Sequence, residues 1–371
     1  MPQTPHNTSS VEKKSVPKLN WLSRHRGIPL TEKIFFIQNL HVMVRTGISL
    51  AAALRTLAEQ TSHKRFRAVL TDIYGRVEKG TPFARALSAH PNIFPDLMVS
   101  MIESGELSGK LDEVLKHVTE QLKKDHELVS KVRGAMLYPA IIVIAMGGIG
   151  TAMMVFVIPK LLTIFTEFNA ELPLPTRVLI AASNFTTRHG LLLALLAILL
   201  IAGARYGIKK TERGKQFFHG LLLRLPLFGG IIKKVNLARI SRTFSSLLTT
   251  DIPIVQTALI TSKTIANIHY RAALIDLSEK LKKGAPVSQV LSAYPHLFPP
   301  VVSQLARVGE ESGSLDHVLG ELASFYEEDV DQIMKNLPSI IEPLLILILG
   351  AGVGAMAVAI IMPMYSLTQT I

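Results

Sequence analysis

The chain has 371 residues, is 48% apolar but only 6% aromatic, and carries a formal net charge of +12. It contains no cysteine, which excludes a disulfide framework, a zinc–thiolate centre and a cysteine nucleophile. High apolar content with few aromatics fits a helical membrane protein better than a soluble enzyme, so the basic excess has to be interpreted by where it falls.

Residues 1–30 form a polar N-terminal arm. Pro2, Pro5, Pro17 and Pro29 stand among Ser, Thr, Lys and Asn with no continuous apolar run. That is the pattern of a loosely attached segment and not of a secretory signal. Residues 31–134 read as a first cytoplasmic helical bundle. Within it Phe66, Val69, Leu70, Ile73 and Val77 follow helical spacing and present one apolar stripe to a core. Thr81-Pro82 predicts an N-cap followed by Pro at the first helical position, and Phe94-Pro95 starts another helix. His41, on the first helix, reads as structural and not as a ligand.

Next comes Gly105-Glu-Leu-Ser-Gly-Lys-Leu111. It is one residue short of a phosphate-binding P-loop, and Leu111 stands where that loop needs a magnesium-holding hydroxyl. The structural expectation is a turn: Gly105 and Gly109 make it, Ser108 or Gly109 caps the next helix, and Asp112 and Glu113 meet the positive helix end. The functional alternative is an exposed acidic knuckle of Glu103, Glu106, Asp112 and Glu113 that contacts a basic partner or a cation. From Lys110 an apolar repeat of Leu111, Leu115, Val118 and Leu122 runs towards the membrane without Gly or Pro until Gly134.

Residues 135–159 are the first expected transmembrane helix, with Tyr138 and Pro139 at its start and Gly148 and Gly150 inside it. An extracytoplasmic loop, 160–189, holds only Lys160, Arg177 and Arg188 as basic residues. A second transmembrane helix follows at 190–207, uncharged from Leu191 to Ala202.

The rest repeats the beginning. Gly309-Glu-Glu-Ser-Gly-Ser-Leu-Asp-His-Val-Leu319 lies 204 residues after Gly105–Leu115 and matches it at eight of eleven positions. The same offset carries Leu87–Pro95 onto Leu291–Pro299 and the helical stripe onto Tyr270, Ala273, Leu274, Leu277 and Leu281. Residues 208–337 are therefore a second cytoplasmic bundle, whose knuckle acids are Glu310, Glu311 and Asp316. Residues 338–363 are a third transmembrane helix, and 364–371 an extracytoplasmic tail. Glu342 stands out as an ionisable residue in that span, beside Pro343; both prolines, Pro139 and Pro343, are expected to kink or start their spans. Gly350, Gly352 and Gly354 are small residues of the kind that let membrane helices approach closely. They suit packing between the two equivalent spans first, then between protomers or against another protein's helix. The fold class is all-α: two homologous cytoplasmic bundles plus three transmembrane helices, the unpaired second helix returning the chain so that both copies share one orientation.

Basic residues cluster before the first span (Lys123, Lys124, Lys131, Arg133) and after the second (Arg205, Lys209, Lys210, Arg213, Lys215), and none follows the third. The charge therefore encodes a cytoplasmic N-terminus and an extracytoplasmic C-terminus, and no nucleic-acid site. No metalloprotease, serine-hydrolase or intramembrane aspartate motif appears, so no enzyme, cofactor or metal is expected. A transporter would need polar groups lining the middle of the spans, and none stands there beyond Thr151.

Arg45-Thr-Gly-Ile-Ser-Leu50, Gly80-Thr-Pro82, Phe94-Pro95, the Gly105 motif and Tyr138-Pro139 together resemble the inner-membrane platform family of type IV pilus and type II secretion systems, the PilC/GspF type. The second copy repeats them as Thr250-Asp-Ile-Pro-Ile254, Gly284-Ala-Pro286, Phe298-Pro299, the Gly309 motif and Glu342-Pro343. Asp251 departs from the pattern where Gly47 stands in the first copy. The resemblance implies a non-enzymatic, multi-pass protein of the cell inner (plasma) membrane that forms homo-oligomers. It also implies a hexameric cytoplasmic assembly ATPase, pilin or pseudopilin transmembrane helices and other inner-membrane assembly proteins as partners. A passive membrane scaffold is the alternative.

Overall fold

The computed structural model describes residues 28–160, 173–225 and 228–368, and among them every regular element is helical. The first copy holds α1 (Leu30–Arg45), α2 (Leu50–Gln60), α3 (Lys64–Glu78), α4 (Phe83–Ser88), α5 (Asp96–Ser108) and α6 (Leu111–Ala152). A π-helical turn, Met153–Val157, carries α6 on to Lys160. Between the copies lie α7 (Leu174–Lys210) and α8 (Glu212–Arg224). The second copy holds α9 (Phe228–Thr249), α10 (Ile254–Thr264), α11 (Ile268–Leu281), α12 (Val287–Ser292), α13 (Pro300–Ser312) and α14 (Leu315–Thr368). Helices α2 to α6 each begin 204 residues before their counterparts α10 to α14. The duplication is one of three-dimensional units. The N-terminal arm up to residue 27 lies outside the described residues.

Local chemistry sets the boundaries. Ser49 caps α2 by accepting from the Ala52 N–H, and Asn267 caps α11 by accepting from the His269 N–H. The α1–α2 corner needs a left-handed residue: Gly47 supplies it at φ +86°, and Asp251 supplies it in the second copy at φ +59°. Aspartate is one of the few residues with a side chain that enters this region readily, which explains the departure from glycine.

The expected stripes face the cores. Phe66, Leu70 and Ile73 are buried in the first copy, with Val69 and Val77 packed at the edge; Tyr270, Ala273, Leu274 and Leu277 are buried in the second. Phe66 meets Phe36 edge-on at 5.7 Å, and Tyr270 meets Phe298 edge-on at 5.5 Å, contacts worth about 0.5–1.5 kcal/mol beyond their burial. The bundles are not independent. Leu247, Ile252 and Ile260 of the second copy are buried within the core of the first.

Two expectations change. The stretch 160–189 is not a loop throughout, because α7 begins at Leu174 and runs 37 residues, about 55 Å at 1.5 Å per residue. Pro173 and Pro175 fix the extended-to-helix transition there, and the expected 190–207 segment is the later part of this same helix. Thr176 donates to the Ala359 carbonyl at 2.6 Å and Ser183 to that of Met154 at 2.5 Å. The linking helix thus packs on the far ends of both long helices. Second, Pro139 and Pro343 neither start nor end a helix: α6 and α14 pass through both.

Candidate functional site: the knuckles and the paired stalks

The Gly105 motif folds differently from its reading as a simple turn. Gly109 and Gly313 are the left-handed C-caps, at φ +71° and +68°, where the Lys110 and Ser314 N–H groups close onto the Gly105 and Gly309 carbonyls. Gly105, by contrast, is inside α5. A Cβ there would lie 2.7 Å from Val114 Cβ, and at Gly309 it would lie 2.9 Å from Leu315 Cα. These glycines let the two helices of each corner touch. The next helix starts without a side-chain cap: Lys110, not Ser108 or Gly109, holds the N-cap position of α6. Gly105→Ala is expected to cost about 1–3 kcal/mol through overpacking, measured as a lowered melting temperature of the full chain in detergent. Gly75→Ala, inside a helix where a Cβ meets nothing within 4 Å, is the comparison and is expected to raise the melting temperature slightly through helix propensity.

Glu106 and Glu310 turn inward. The Glu106 carboxylate accepts from the Phe83 N–H at 2.6 Å and the Ala84 N–H at 3.0 Å. Glu310 accepts from Val287 N–H and, at 3.0 Å, from Ser288 N–H. The N-cap residues of these short helices are Pro82 and Pro286, which have no side-chain acceptor. A glutamate 23 residues downstream supplies it instead, in the position expected for Thr81. The start of neither helix depends on a hydroxyl at the Thr81 position, where the second copy has Ala285. The outward acids are then Glu103 and Glu113 in the first copy and Glu311 in the second, with Asp112 and Asp316 half-buried in the first turns of α6 and α14. Among the described residues no three of the His, Asp and Glu side chains gather as a metal site.

From the knuckles, α6 and α14 continue as two stalks. They run parallel, since Lys124 meets Glu327 at 3.4 Å and, further along, Lys131 meets Asp331 at 2.9 Å. Leu128, Val330, Met334 and Leu337 form a small core between them, completed by Ile231 of α9. Glu327 is the hub: Arg242 of α9 holds both its oxygens, at 2.8 and 3.0 Å. Hydrogen bonds from Lys335 and Lys131 hold the Asp331 carboxyl below the usual carboxylate range. Its contribution is therefore full above that range and is lost only as pH falls through the lowered value. Gln121 of α6 is buried against α9, accepting from Ser246 at 2.9 Å. None of these stalk partners was singled out as a site by its sequence motif.

Beyond residue 135 in α6 and residue 339 in α14 the stalks become apolar. Leu111–Lys160 and Leu315–Met362 are each long and apolar enough to cross a membrane, and almost none of the apolar stretch is buried within the chain. A continuous exposed apolar surface of this size needs a cover. Tyr138 and Glu342 are both exposed at its near edge, whereas Pro139 is buried and Pro343 exposed. A Cβ added at Gly148, Gly150, Gly350, Gly352 or Gly354 meets nothing within 4 Å. The expected packing of the two equivalent spans on one another through these glycines is therefore not made: among the described residues their faces stay open.

Two equivalent helical units, each continuous with an apolar helix, define a duplicated all-α membrane protein. The family model described as type II secretion system (T2SS), protein F, matches twice, at residues 36–159 and 240–363, and the chain belongs to that family. It is 36% identical to the type IV pilus assembly protein PilC of Thermus thermophilus over 93% of this chain and 85% of that protein. It is 31% identical to PilC of Myxococcus xanthus over 93% and 82%. The type II secretion system protein F of Pseudomonas aeruginosa is 29% identical over 93% and 85%. These relatives are named for filament assembly and secretion, not for a reaction.

Proposed function

We propose that the chain is a non-enzymatic inner-membrane platform that couples a cytoplasmic assembly ATPase to the movement of pilin or pseudopilin transmembrane helices into a filament. The observation that carries this is the unbroken helix from knuckle to apolar surface, made twice and joined by the Glu327 network. A push or rotation applied to the bundles then reaches the membrane without a hinge. The outward acids Glu103, Glu113 and Glu311 offer the motor a basic-partner contact, and the open faces at Gly148, Gly150, Gly350, Gly352 and Gly354, with Tyr138 and Glu342 at their edge, offer the incoming helix a close approach. In this reading α7 supplies a third crossing, the N-terminus is cytoplasmic and the C-terminus extracytoplasmic, a topology supported by the positive-inside pattern.

Deleting the gene is expected to abolish surface filaments or type II secretion, imaged and assayed in the same cells. The full chain is expected to co-purify with a hexameric ATPase and to lose it when residues 31–130 are removed. If filaments fail yet no ATPase binds either form, the passive-scaffold alternative stands.

A further inference from the structure

The intramolecular contact between the two copies is head-to-tail. One face of copy one, built from α5 and α6, receives a different face of copy two, built from α9 and α10. Gln121 accepts from Ser246 and lies 3.5 Å from Thr243; Ser104 donates to the Thr250 carbonyl at 2.7 Å; Ile252 is buried there. Because the copies are equivalent at an offset of 204, each face has a twin elsewhere on the chain. The twin of the receiving face is on copy two, where Phe325 replaces Gln121 and Val308 replaces Ser104. The twin of the inserting face is on copy one, where Val42 replaces Ser246 and Ile48 replaces Ile252. Both twins are bare: Phe325 is 58% exposed, Val308 54% and Val42 50%. Both are also more apolar than the polar contact they duplicate, as surfaces are when they meet in an interface core.

We infer that the α13–α14 face of one chain receives the α1–α2 face of a second copy of the same chain, repeating the internal contact between molecules. Phe325 then meets Val42 and Asn39 of the next chain, and Val308 meets Thr46. The operator suits a membrane: the two stalks run parallel within one chain, so applying it again keeps every stalk pointing the same way. A heterologous contact of this kind closes into a ring or grows without end; in a bilayer it sets the number of platforms around one filament. This rests on the proposed platform function and on the homo-oligomer that the family resemblance implies, and adds the surface that builds it.

The chain has no cysteine, so introduced thiols report alone. The full-length protein carrying Val42→Cys and Phe325→Cys, in native membranes with a short bismaleimide, is expected to give a ladder of covalent multimers. Mixing the two single variants is expected to stop at dimers, and Val42→Cys alone to stay monomeric. Gln121→Cys with Ser246→Cys calibrates the reagent as a cross-linked monomer. Independently, Phe325→Glu is expected to lower the detergent-solubilised mass at least two-fold with unchanged melting. A wild-type chain that is monomeric in membranes and detergent overturns the oligomeric reading as well. An oligomer unaffected by Phe325→Glu, or one giving Val42–Val42 dimers with no ladder, overturns this surface and leaves the oligomeric platform standing. Cross-linking of Phe325→Cys to another protein with no ladder assigns the face to that protein and overturns the proposal.

Discussion

Replacing Glu106 with alanine is expected to destabilise the first bundle by about 2–4 kcal/mol, and Glu310→Ala to do the same in the second. Each carboxylate accepts from two backbone N–H groups at the start of a short helix whose proline cap has no acceptor of its own. A hydrogen bond to a charged group is worth about 1.5–3 kcal/mol, and the donors left behind lose their partner while half-buried. The measurement is the melting temperature of the full chain in detergent, with hydrogen exchange at Phe83 and Ala84 to localise the loss. Glu106→Gln keeps one acceptor and is expected to fall between. A Glu106→Ala chain that melts like wild type but no longer binds its ATPase would reverse the assignment and return this glutamate to the partner face. Glu113→Ala, on the exposed side of the same corner, is the matched comparison, because it can lose a partner without loosening the fold.

Most of the fold was legible because the sequence is written twice. The 204-residue offset located the helices, their prolines and their apolar stripes, and each copy checked the other. The knuckle was legible in outline only. Gly109 as a left-handed cap follows from glycine chemistry, but the target of Glu106 is an N-terminus 23 residues upstream, and nothing local to the motif points there. The bare Thr81-to-Ala285 exchange was the available clue: a cap missing from one copy has to be replaced from elsewhere. The stalk pairing was also present, unrecognised, in the offset. Lys123 and Lys124 correspond to Glu327 and Glu328, so equivalent turns of two parallel helices carry opposite charges. The positive-inside pattern accounts for those lysines by charge alone, whereas Lys124 and Lys131 make ion pairs that hold the stalks together. The glycines of the spans leave their partner unnamed for a physical reason. Small residues state that a helix can be approached, not by which helix.

The stalk hub gives the second large effect and separates stability from transmission. Glu327→Ala is expected to cost about 1–3 kcal/mol, less than a fully buried pair because its edge is wet. Arg242 loses a bidentate partner, and α6 loses the Lys124 contact that ties it to α14. Lys131→Ala removes a more exposed pair and is expected to leave the melting temperature nearly unchanged. Replacing the pair with apolar side chains, Arg242→Met with Glu327→Leu, is expected to restore the melting temperature, since such exchanges are often neutral or stabilising. It does not restore the link to Lys124. Filament counts in cells carrying this double variant then decide the mechanism. Continued failure of assembly in a chain that melts normally means the stalks must be tied to carry the motor's motion. Recovery of filaments together with stability means the network only holds the second bundle, and the motion travels by the apolar contact of Leu128 with Val330 and Met334.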